Sequence, residues 1–112
     1  MTRFEGCGTA LVTPFTDEGA LDLRALRTLV EWQIAEGIDF LVPCGSTGEA
    51  QTMDDREREQ VVATVVEVAR GRVPVIAGAT SNDTRRAVDE TRRMCGLGVD
   101  GKIGRASCRE RV

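Results

Sequence analysis

The chain has 112 residues with 15 basic and 18 acidic side chains, a net charge of −3, one Trp, three Phe, and neither His nor Tyr. Without histidine there is no Ser-His-Asp or Cys-His catalysis and no imidazole metal site, and so few aromatics leave no platform on which bases could stack. The negative charge argues against nucleic acid as the main partner.

Gly8 to Phe15 (GTALVTPF) is short, apolar and β-capable, and it is stopped by Pro14 and the polar turn Thr16-Asp17-Glu18-Gly19. It predicts a strand followed by a loop. From Asp22, a good N-cap, Leu23, Leu26, Leu29, Val30 and Ile34 recur at helical spacing up to Gly37, which suits a left-handed C-terminal cap. Phe40 to Pro43 (FLVP) predicts a buried second strand that ends in the small-residue turn Cys44-Gly45-Ser46-Thr47-Gly48-Glu49. Asp54 and Glu57 then form a capping box, and Val61, Val62, Val65, Val66 and Ala69 make an apolar stripe that runs to Gly71. Val73 to Ala79 (VPVIAGA) is continuously apolar and predicts a third strand covered on both faces. After Thr80-Ser81-Asn82, either Asn82 or Asp83 caps a third helix that carries Ala87, Val88, Thr91, Met94 and Cys95 and is closed by Gly96 and Gly98. Asn82 is read as that cap in preference to a polar group in the mouth of a barrel. Val99 to Gly101 begins a fourth strand that is not expected to continue.

Three β-loop-α units in succession predict an α/β fold with a parallel sheet, either an open doubly wound sheet or part of a (β/α)8 barrel. Ligands bind at the C-terminal ends of the strands in both. Those ends are Thr13 to Phe15, Gly45 to Glu49 and Gly78 to Asn82. No apolar run approaches the ~18 residues of a membrane span, and the N-terminus lacks the basic-then-apolar layout of a secretory signal. Cytoplasm is the expected compartment, with no membrane partner and no cofactor. Cys7, Cys44, Cys95 and Cys108 are widely spaced with no C-x-x-C pair, which predicts reduced and mostly buried thiols.

The loop Gly45-Ser46-Thr47-Gly48-Glu49 carries the chemistry. A turn flanked by glycines can gather backbone N–H groups and two hydroxyls against a small carboxylate or phosphate, because Gly tolerates positive φ and close approach. Taken alone, the five residues are equally compatible with an ordinary strand-to-helix loop. They are not a P-loop, since no Lys follows, and no G-x-G-x-x-G is present.

Together with Gly8-Thr9-Ala10-Leu11-Val12-Thr13-Pro14-Phe15 and Pro74-Val75-Ile76-Ala77-Gly78-Ala79, this loop resembles the dihydrodipicolinate synthase and N-acetylneuraminate lyase family of class I, Schiff-base-forming aldolases. The resemblance covers about residues 4 to 101, in order. It implies a (β/α)8 barrel, of which the chain holds the first three βα units and the start of the fourth strand. It implies a lyase with pyruvate and a small aldehyde as substrates, usually a homotetramer. Thr47 would bind the pyruvate carboxylate through hydroxyl and backbone N–H, and Ser46 would take the catalytic proton-relay position; a hydroxyl suits both because it donates and accepts. The first of these two positions is usually Thr in the synthase branch, which joins pyruvate to aspartate semialdehyde on the route to diaminopimelate and lysine. Ser occurs there in the sialate lyase branch too. The synthase branch is expected first, with the sialate lyase and sugar-acid aldolase branches and a non-catalytic small-anion-binding α/β module as alternatives. Glu49 is expected to close the loop structurally, and Cys44 to pack, since no His or Lys lies near to activate it.

Fourteen of the fifteen basic residues are Arg, and Lys102 is the sole lysine. From Lys102 onward the pattern changes: KIGRASCRERV has four basic residues and one acid, whereas residues 1–101 have 11 basic and 17 acidic, net −6. A solvated basic arm and a nucleic-acid arm are two readings. The third is preferred: all eleven residues agree with the translation of a common sequencing adapter. The expected division is therefore 1–101, the N-terminal part of an aldolase-type barrel, and 102–112, a non-native tail. The resemblance places the Schiff-base lysine on the sixth strand and needs tyrosines for proton transfer, so the 112 residues by themselves are expected to be inactive.

Overall fold

The structure is a computed structural model that describes residues 4–79 and 83–103. Strands and helices alternate as β1 (Gly8–Ala10), α1 (Leu23–Ala35), β2 (Phe40–Val42), a 3-10 turn (Ala50–Thr52), α2 (Asp55–Ala69), β3 (Ile76–Gly78), α3 (Thr84–Cys95) and β4 (Gly101–Ile103).

Each helix begins where an acidic side chain can hold an otherwise unpaired N–H. Asp22 accepts from Ala25 N–H at 3.0 Å. Asp54 accepts from Glu57 N–H at 2.8 Å while Glu57 accepts from Asp54 N–H at 3.0 Å, completing the capping box. Asp83 accepts from Arg85 N–H at 3.0 Å and is the N-cap of α3. Asn82, the other candidate, lies outside the described residues. At the far end of α1, Gly37 takes φ +91° and its N–H donates to Ile34 C=O at 3.1 Å, the left-handed turn expected there. α2 closes differently, because Arg70 is itself left-handed at φ 49° ahead of Gly71 at φ 76°.

β1 pairs with β2 in parallel, with Gly8 opposite Phe40, Thr9 opposite Leu41 and Ala10 opposite Val42. β3 pairs with β4 in parallel, with Ile76, Ala77 and Gly78 opposite Gly101, Lys102 and Ile103. A parallel bridge between Leu41 and Val75 joins the two pairs, supported by Leu41 N–H to Pro74 C=O and Gly78 N–H to Pro43 C=O, both 3.0 Å. The strands thus lie side by side in chain order. A doubly wound sheet reverses its order after the first units, whereas a barrel adds strands consecutively. This decides the alternative left open by periodicity: the chain forms the first three βα units of a (β/α)8 barrel.

Two expectations are corrected. The first strand is only Gly8–Ala10, with Leu11 N–H making one further bond to Val42 C=O at 3.0 Å. Pro14 has no N–H to give the ladder, and the chain instead folds back so that Phe15 bridges Leu21. The fourth strand, not expected to continue, forms across Gly101–Ile103. The edge of β3 templates it: the Asp100 carboxylate accepts from Val75 N–H at 2.9 Å, and Ala79 N–H donates to Ile103 C=O at 3.0 Å.

Side chains alternate across the sheet. Leu11, Leu41, Val75 and Ala77 face the helices and are buried, against Leu26 and Val30 of α1, Val61, Val62, Val65 and Ala69 of α2, and Met94 of α3. Burying each of the leucine, valine and methionine side chains contributes about 1.5–3 kcal/mol, which offsets the modest helix propensity of the α2 valines. The other face of the sheet is open, with Val12 and Ile103 about half exposed. The thiols differ from expectation: only Cys44 is buried, Cys7 and Cys95 are exposed, and all three are free. Cys108 lies outside the described residues.

Candidate active site

The end of β2 leads into two overlapping tight turns. Gly48 N–H donates to Gly45 C=O and Glu49 N–H to Ser46 C=O, both at 3.1 Å. The donors that would precede them in a helix, the N–H groups of Ser46 and Thr47, make no hydrogen bond among the described residues, nor do the two hydroxyls. Both residues are exposed, and the space beside Gly45 is open. The turn therefore leaves two N–H groups and two hydroxyls without a partner among the described residues, in exposed positions at the C-terminal end of a barrel strand, an arrangement suited to an anion.

The glycines serve this loop otherwise than the sequence suggests. Neither Gly45 nor Gly48 has positive φ; the left-handed residues are their outer neighbours, Cys44 at φ 58° and Glu49 at φ 59°. Gly48 is needed for close approach, because a Cβ there would lie 2.9 Å from Leu11 C=O and 3.2 Å from Thr13 Oγ1. Gly78 is needed for the same reason on the other side, where a Cβ would meet Cys44 C=O at 2.2 Å and Gly45 N at 3.0 Å. Buried Thr13 donates from its hydroxyl to Gly48 C=O at 2.6 Å. The ends of β1, β2 and β3 thus meet at this one loop.

Glu49 closes the loop with its backbone. Its C=O accepts from Thr52 N–H at 2.9 Å and from the Thr52 hydroxyl at 2.8 Å, while its exposed carboxylate makes no cap hydrogen bond. Cys44 packs, as expected. Burial pushes its thiol up from 9.0 to about 12, with Arg58 opposing the shift and Glu90 adding to it. Such a group is no nucleophile.

Sequence reasoning missed the support beneath the loop. Arg58 and Glu90 are buried, at 7% and 3% exposure, and Arg58 Nη1 donates to both carboxylate oxygens at 3.0 and 2.9 Å. Arg58 Nε donates to Ala50 C=O at 2.8 Å, and Arg58 C=O accepts from the Cys44 thiol at 3.7 Å. The i, i+4 placement of Arg58 and Val62 on the inward side of α2 is the one local signal that could have found it. Lys102, in contrast, lies opposite Ala77 on the helix-facing side of the sheet and donates to Cys95 Sγ of α3 at 2.6 Å. It does not join the loop. A cavity of about 440 Å³ at the opposite end of α2 is lined by Arg27, Glu31, Glu67, Val68, Arg70 and Arg72, none of them from the loop.

The open hydroxyl-bearing turn thus stands at the C-terminal end of the second of four consecutive parallel strands, the end of a (β/α)8 barrel at which active sites are built. A family model of the dihydrodipicolinate synthetase family matches residues 3–104. The 4-hydroxy-tetrahydrodipicolinate synthase of Koribacter versatilis is 56% identical over 99 residues, covering 88% of this chain and 33% of that protein. The corresponding synthase of an Anaeromyxobacter species is 54% identical over 103 residues, covering 92% and 35%. Among solved structures, the pyruvate complex of the dihydrodipicolinate synthase from Acinetobacter baumannii superposes with a TM-score of 0.90 at 38% identity, over 91% of this chain and 35% of that one. The chain belongs to the dihydrodipicolinate synthetase family. It spans about a third of the length of the curated relatives it matches. Among the described residues no helix is long and apolar enough to cross a membrane.

Proposed function

We propose that this chain supplies the pyruvate-carboxylate loop of a 4-hydroxy-tetrahydrodipicolinate synthase, a Schiff-base-forming lyase that condenses pyruvate with aspartate semialdehyde. The observation that carries the reading is the pair of N–H groups and hydroxyls at exposed Ser46 and Thr47, which no described residue satisfies. In this reading Thr47 holds the carboxylate through Oγ1 and N–H, two donors converging on a planar anion. Ser46, beside it, accepts and returns a proton through its hydroxyl. The amine that forms the Schiff base is the lysine that the family resemblance places on the sixth strand. Lys102 is not that amine, since it faces α3.

The division at residue 101 belongs to the same reading, with 102–112 a non-native tail. Sequencing the gene past codon 101 tests it: a continuation of the barrel in place of KIGRASCRERV supports the division, and the same eleven residues in genomic DNA refute it. The activity is tested on the complete protein, assayed with pyruvate plus aspartate semialdehyde and, separately, with N-acetylneuraminate. Turnover of the first pair alone is expected. Cleavage of N-acetylneuraminate in its place would assign the sialate lyase branch, to which Ser46 is also suited, and no turnover of either would leave the sugar-acid aldolase branch or an anion-binding module.

A further inference from the structure

We infer that Arg58 is a positioning residue for the substrate-carboxylate loop, holding both of its shoulders from beneath through a buried ion pair with Glu90. The inference rests on the reading of Ser46 and Thr47 given above.

Arg58 touches the loop twice. Its backbone C=O accepts from the thiol of Cys44, just before Gly45, and its Nε donates to the C=O of Ala50, just after Glu49. Ser46 and Thr47 lie between these two anchors. Both shoulders need holding, since Cys44 and Glu49 are non-glycine residues in the left-handed region, which an unconstrained chain leaves. The Arg58 guanidinium cannot swing away, because Nη1 is fixed by both oxygens of Glu90 on α3. Asp55 stands 3.8 Å from the same Nη1 and also receives Arg93 at 3.1 Å, extending the clamp between α2 and α3.

The chemistry explains why a charge is kept here. Two apolar side chains would join α2 to α3 at least as well as a buried ion pair, because desolvating two charges offsets most of their attraction. No apolar pair could donate to Ala50 C=O. The planar guanidinium does this with Nε while Nη1 remains on Glu90, a geometry that a lysine ammonium, with one nitrogen, cannot reproduce.

The test uses the complete protein and the variants Arg58→Lys, Glu90→Gln and Thr47→Val. Arg58→Lys keeps the charge facing Glu90 and loses the second anchor. It is expected to raise the pyruvate KM about tenfold, with kcat and the aldehyde KM changed by less than about threefold, as for a loss of ground-state binding confined to one substrate. Amide exchange at Thr52 and Met53, whose N–H groups bond within the loop, is expected to quicken by a similar factor. Glu90→Gln, which leaves Arg58 in place but loosely held, is expected to move both readouts in the same direction by a smaller factor and covers the case of an unstable Arg58→Lys. A folded Arg58→Lys protein with the wild-type pyruvate KM and loop exchange would overturn the inference. Thr47→Val separates the two levels: if it raises the pyruvate KM and Arg58→Lys does not, only the positioning role fails. If neither moves it, the carboxylate-loop reading fails and the positioning role with it.

Discussion

Substituting Gly78→Ala should damage pyruvate binding from the neighbouring strand without touching a candidate site residue. The added Cβ would lie 2.2 Å from Cys44 C=O and 2.7 Å from Cys44 C. Ordinary contact begins near 3.4 Å, so the two backbones must part by about 1 Å. Neither is free to move: Gly78 N–H is bonded to Pro43 C=O at 3.0 Å, and Cys44 is buried at 3% exposure. Overpacking of this kind costs about 1–3 kcal/mol, a loss of several degrees in Tm. The functional effect should be larger, since a displacement of ~1 Å in a substrate-positioning group costs on the order of a hundredfold in rate. Steady-state kinetics on the complete protein, with pyruvate as the varied substrate, read this directly, and a thermal melt confirms that the variant is folded. A folded Gly78→Ala protein whose kcat/KM for pyruvate stays within about twofold of wild type would refute the reasoning, because the loop would then tolerate the shift that the contact demands.

Thr13→Val removes a buried hydroxyl at constant volume and leaves Gly48 C=O without its 2.6 Å donor, so it should destabilise by about 1–3 kcal/mol in a urea titration while Thr13→Ser stays near wild type. For Cys44, alkylation at neutral pH followed by peptide mass spectrometry should find exposed Cys7 modified and Cys44 spared. The raised thiol also sets a sign: the native state keeps its proton after the unfolded chain begins to lose one, so this stabilisation is complete below pH 9.0 and declines as pH rises towards about 12. Urea midpoints measured across that range should fall, and should fall less in Cys44→Ala. Incubation of the 112-residue chain itself with pyruvate and borohydride should leave Lys102 unlabelled, because its amine faces α3 and Cys95; a pyruvyl adduct on Lys102 would contradict the placement.

Much of the frame was legible because it depends on neighbours in sequence. The caps at Asp22 and Asp54 with Glu57, the valine stripe of α2 and the turn at Gly37 are all local signals, and each lies where periodicity puts it. Strand ends were less legible. β1 stops at Ala10 because of a fold-back between Phe15 and Leu21, and β4 forms because β3 offers it an edge; both depend on pairing partners that no local pattern reveals. The loop itself stood out by composition, yet its construction did not. Gly48 is required by Leu11 and Thr13, 37 and 35 positions earlier, and Gly78 by Cys44. Arg58 and Glu90 are 32 residues apart on two helices whose charged residues mostly face water, so beyond the i, i+4 placement of Arg58 with Val62 nothing in the pattern paired the two as buried partners.

The proposed carboxylate loop is tested most directly at Thr47. In the complete protein, Thr47→Val keeps the side-chain volume and removes the hydroxyl, and the pyruvate KM of the condensation with aspartate semialdehyde should rise at least about tenfold while the aldehyde KM stays put. An unchanged pyruvate KM in a folded Thr47→Val protein would contradict the claim that this loop holds the substrate carboxylate.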